Sequence, residues 1–70
     1  MTFKEFKNTW ETEILPNKPI FIRKGQSLMN YLADVNFEEY KTITASIIDC
    51  FYDDNLIPNV MQRLERVWKL

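Results

Sequence analysis

One cysteine, Cys50, and no histidine in seventy residues leave this chain without a staple. No internal disulfide can form, and a structural zinc site, built from cysteine and histidine, has no ligand set. A domain of this size buries only about 60% of its unfolded surface. The fold must therefore rest on a dense apolar core, or it does not hold. The composition supplies that core, at 46% hydrophobic and 14% aromatic. Such a chain is too apolar for disorder. The lone cysteine also points to a reducing compartment, and the expected location is the cytoplasm. The charged N-terminal segment, with Lys4, Glu5, Lys7, Glu11 and Glu13, does not read as a signal peptide. No apolar run approaches the ~20 residues that span a bilayer.

The periodicity predicts an all-α single domain over residues 1–70, of three to four short helices around one core. Thr2 and Glu5 form a capping box, and Phe3, Phe6, Trp10 and Ile14 follow at helical spacing. Pro16 ends that helix near Leu15. After the connector Pro16-Asn17-Lys18-Pro19, the triplet Ile20-Phe21-Ile22 reads as extended or as the first turn of a second helix. A lone strand has no partner, so the helical reading is preferred. That helix is established by Arg23 and runs to Ala33 or Asp34, with Leu28, Met29, Leu32 and Val35 facing inward. Gly25 inside it implies either a close backbone neighbour or a break.

Asn36 caps a third helix, with Glu39 at its third position and Val35 and Tyr40 as a staple across its start. Phe37, Tyr40, Ile43 and Ile47 form its buried stripe, and Thr42, Ile43 and Thr44 keep it short, ending near Ala45. An irregular loop leads to the last helix. Asp54 or Asn55 caps that helix, Pro58 fits its first turn, and Ile57, Val60, Met61, Leu64, Val67 and Trp68 keep its rhythm.

The loop Asp49-Cys50-Phe51-Tyr52-Asp53-Asp54 is the most unusual segment. Phe51 is expected to plug the core and Asp54 to cap the last helix. Tyr52 and Asp53 are left as candidates for contact with a partner, because an aromatic offers large area at low entropic cost. Three acids without EF-hand spacing or a glycine at the turn do not make a calcium loop, and no metal site is expected. Cys50 lacks a histidine to activate it and reads as a small buried hydrophobe. No catalytic residue and no cofactor motif is found. A short chain also has little room for a pocket, so the protein is expected not to be an enzyme.

Arg23, Gln26, Asn30 and Asp49 are expected to form a polar clamp, in which the second helix holds the loop. Arg63, Arg66 and Lys69 form a basic stripe on the last helix. With a net charge of −1 the chain has no broad positive field, and nucleic-acid binding is the weaker reading of that stripe.

The blocks Arg23-x-Gly25-Gln26-x-x-x-Asn30-x-Leu32, Asp49-x-Phe51-Tyr52-Asp53-Asp54 and Ile57-Pro58 occur in this order. Together, over roughly residues 23–64, they resemble a group of small uncharacterised bacteriophage and prophage proteins. The chain departs from that group at Cys50, where proline is common, and its first helix need not belong to the shared part. The resemblance implies a phage or prophage origin and a host-cytoplasmic setting, and brings no biochemical function with it. The expected function is that of a non-enzymatic accessory protein that binds a host or phage protein, with host takeover or counter-defence as its natural form. The alternatives are a small nucleic-acid-binding regulator using Arg63, Arg66 and Lys69, and a minor structural or assembly component.

Overall fold

Thr2 starts the fold. Its hydroxyl accepts from the Glu5 amide at 3.1 Å, and the Glu5 carboxylate accepts from the Thr2 amide at 2.8 Å. Hydrogen bonding from Thr2, its backbone N–H first and its side chain second, holds the Glu5 carboxyl below its ordinary value. The computed structural model describes residues 1–69, and within them the chain is all-α. Helix α1 spans Phe3–Thr9 and widens into a π turn over Trp10–Ile14, closed by the Leu15 amide on the Trp10 carbonyl at 2.8 Å. Helix α2 spans Lys24–Val35, α3 Phe37–Ile43 and α4 Ile57–Val67, the last preceded by a 3₁₀ turn at Asp54–Leu56.

Helix α2 lies at the centre and packs against α3, the π turn and the 3₁₀ turn, while α1 packs on α4. The buried core is Phe6, Trp10, Leu28, Met29, Leu32, Ile43, Cys50, Val60, Met61 and Leu64. One buried polar side chain sits among them. The Ser27 hydroxyl accepts from the Trp10 indole N–H at 3.1 Å and donates to the Lys24 carbonyl at 2.6 Å. The bulky indole is thus buried with its one donor satisfied. The chain ends are tied together as well. Phe6 lies between Tyr31 and Trp68, at ring distances of 5.0 and 4.9 Å, and the Trp68 indole donates to the Met1 carbonyl at 2.9 Å.

Three sequence expectations are corrected. Ile20 and Phe21 are neither strand nor helix: they form a turn, with the Ile22 amide on the Pro19 carbonyl at 3.0 Å, and α2 begins at Lys24. Arg23 is extended at the N-cap, because the chain approaches from that turn. The stripe proposed for α3 is narrower than its spacing suggests. Ile43 is buried, but Phe37 is 55% exposed and Ile47 94% exposed. Phe37, at the first position of α3, pairs with Tyr40 at 5.7 Å. Ile47 leaves the helical rhythm because the chain reverses at Ala45, which has φ of 62°. The third correction concerns the start of α4. Neither Asp54 nor Asn55 caps it by a side chain: Leu56 is its N-cap residue, and the Asp53 carboxylate opens the 3₁₀ turn by accepting from the Asn55 amide. Asp54 is turned toward another helix.

Candidate functional site

The turn from Asp49 to Asp54 is held by its own acids. Asp49 accepts from the Ala45 amide at 2.7 Å and from the Phe51 amide at 3.0 Å. The first bond secures the left-handed residue Ala45, and the second sets the entry to the turn. The Asp53 amide then closes on the Cys50 carbonyl at 3.1 Å, and the Asp53 carboxylate takes the Asn55 amide at 3.0 Å.

The turn docks on the first turn of α2. Gly25, at the second position of that helix, donates its amide to the Asp54 carboxylate at 2.9 Å. That amide is one of the donors a helix start leaves free. Arg23, the N-cap residue, supplies no side-chain acceptor for it. Asp54 therefore completes the cap from elsewhere in the chain and sets a negative charge at the positive end of α2. The Cys50 thiol donates to the Gly25 carbonyl at 3.5 Å, so both backbone groups of Gly25 are met by the turn. A Cβ on Gly25 would fall on the Cys50 carbonyl oxygen. The glycine signals a close backbone neighbour, one of the two meanings its place in the pattern allows.

The expected clamp is built differently. Arg23 and Asn30 are exposed and Gln26 is half-buried. Among the described residues, none of the three makes a side-chain hydrogen bond or ion pair with the turn. Asp49 bonds within its own loop. The second helix does hold the turn, but through the Gly25 backbone.

Cys50 is fully buried, and its thiol is pushed up to about 12 by burial first and by the neighbouring Asp49 carboxylate second. It stays protonated at neutral pH, where a nucleophilic thiolate is not formed. The three acids of the turn are each committed to separate amides, and no cluster of metal-ligating side chains forms among the described residues.

What faces outward is Tyr52, 78% exposed, its ring edge against half-buried Phe51 at 4.7 Å. Asp53 is exposed beside it. On α4, Arg63 is drawn out of the expected basic stripe. Its Nε donates to Glu39 at 2.9 Å in a half-buried ion pair that ties α4 to α3. Arg66 and Lys69 border a hollow shared with Glu38 and Glu39, so acids face these bases. No described helix is long and apolar enough to cross a membrane.

The exposed pair Ile20-Phe21, at 97% and 82%, went unread as a surface in the sequence. The available signal was two adjacent large apolar residues, directly after proline, that fit neither flanking helical stripe.

The fold and the turn together define a small all-α domain with a rigidly braced, tyrosine-bearing loop. No family model matches the chain, and none of the curated proteins or solved structures compared with it does.

Proposed function

We propose that this protein is a non-catalytic, phage-type accessory protein that acts in the host cytoplasm by binding another protein, with Tyr52 as the anchor of its contact. The observation that carries this reading is the exposure of Tyr52 on a turn whose neighbours are pinned on both sides. An aromatic held in place before binding loses little entropy on binding, and such residues dominate contact energies. The engaged carboxylates and the neutral, buried thiol of Cys50 support a binding role over a chemical one. Order of the blocks around Gly25 and Asp49–Asp54 supports the phage-type reading. The Arg63–Glu39 pair weighs against a nucleic-acid stripe.

The test is affinity capture from bacterial lysate with the wild-type protein and a Tyr52→Ala variant. One stoichiometric partner, retained by wild type and lost by a variant with unchanged circular dichroism and melting temperature, is the expected result. Equal capture by both proteins removes Tyr52 from the site. No stoichiometric partner from either host or phage-infected lysate overturns the reading.

A further inference from the structure

A second surface, independent of Tyr52, carries its own recess. Ile20 and Phe21 project at the turn before α2, 97% and 82% exposed. Beside them lies a cleft of about 320 Å³ with apolar walls that include Ile14, Pro19, Ile22 and Tyr31. Its size is at the small end for pockets that take a ring or a small ligand. Pro19 and Ile22 bracket the projecting pair and line the cleft, so protrusion and recess adjoin on one face. That arrangement suits a twofold axis, which brings the tip of each copy over the recess of the other.

The charges agree. Among the described residues, Glu13 and Asp34 stand at the cleft, with Lys18 as the one base there. Arg23 and Lys24, exposed and one residue beyond the tip, after Ile22, are bases. Among the described residues, none of Glu13, Asp34, Lys18, Arg23 and Lys24 is in an ion pair. Two bases that follow the apolar tip in the chain thus have two acids at the apolar recess as their complement.

We infer that the partner of this face is a second copy of the chain: a symmetric dimer in which Phe21 of each protomer enters the cleft of the other, steered by Arg23 and Lys24 against Glu13 and Asp34. The contact is small, and small contacts give concentration-dependent dimers.

Sedimentation equilibrium from about 10 µM to about 1 mM, a span across which weak association is read, tests it. The weight-average mass of wild type rises with concentration from 8.5 kDa toward twice that value, and the rise is reduced by salt. Phe21→Glu, a change at an exposed site that leaves the fold intact, keeps the monomer mass throughout. Arg23→Glu with Lys24→Glu abolishes the rise, and adding Glu13→Lys with Asp34→Lys restores it. A wild-type chain that stays monomeric at every concentration overturns the inference and leaves the tip to another protein or surface. A dimer indifferent to Phe21→Glu, or one that the paired reversal fails to restore, overturns it too. Tyr52→Ala is expected to dimerise normally, which separates this interface from the partner-binding turn.

Discussion

The Gly25 amide and the Asp54 carboxylate meet at 2.9 Å across 29 positions of sequence, and this bond docks the acidic turn on the start of α2. Asp54→Ala removes a charged helix cap and is expected to cost about 1 kcal/mol. Asp54→Asn, which keeps an acceptor and loses the charge, is expected to cost less. Urea unfolding of the two variants checks the order. Equal stability of Asp54→Ala and wild type would show the cap to be idle.

Gly25→Ala is expected to destabilise the protein by about 1–3 kcal/mol, the range of overpacking in a filled core. Alanine is better than glycine in a helix by up to about 1 kcal/mol. Here that gain is outweighed, because the new methyl meets the Cys50 backbone, which cannot swing aside like a side chain. A variant more stable than wild type in the same titration would contradict the close approach.

The opposite sign is expected at Ala45, whose φ of 62° suits glycine. Left-handed geometry costs an L-residue roughly 1–2 kcal/mol, and glycine's extra freedom in the unfolded chain takes back part of the relief. Ala45→Gly should therefore stabilise by a few tenths to about 1 kcal/mol, seen as a raised melting temperature. The Ala45 amide keeps its bond to Asp49 in that variant.

Ser27→Ala leaves the buried Trp10 indole N–H without its acceptor. An unmet buried donor costs about 1–3 kcal/mol. Trp10→Phe with Ser27→Ala, which removes both partners, is expected to recover part of the polar penalty in a double-mutant cycle. Additive losses would mean that the bond contributes nothing.

The Cys50 thiol gives a pH signature. Its value is raised from 9.0 to about 12 in the folded chain. Below pH 9 both states hold the proton. Between about 9 and 12 the unfolded chain releases it and the folded one keeps it, so stability falls as pH rises through this window. Cys50→Ala is expected to remove that slope, read by comparing the pH dependence of urea unfolding for the two proteins. Iodoacetamide at pH 8 is expected to label the wild-type thiol only after denaturation.

Much of the local architecture is legible from residues a few positions apart. Thr2 with Glu5, and Asn36 with the Glu39 amide, are caps made within three residues, and both form as their spacing demands. The rhythm of Val60, Met61 and Leu64 likewise marks the buried face of α4. The turn at Asp49–Asp54 stands out by composition, and its link to the second helix is anticipated. The atoms that make the link are not, because a search for partners among side chains favours Arg23, Gln26 and Asn30 over the backbone of a glycine.

By itself, then, the sequence determined an all-α domain, the starts of α1 and α3, and at Gly25 a choice between a close backbone neighbour and a break. Only the tertiary structure decided that this neighbour is Cys50, that Asp54 caps α2 instead of α4, that Arg63 is held by Glu39, and that Ile20 and Phe21 face outward. The reason is range. A cap or an apolar stripe is set by backbone geometry over one or two turns, whereas the partner of a free amide or a guanidinium depends on which helix faces come together, and several packings satisfy the same local pattern.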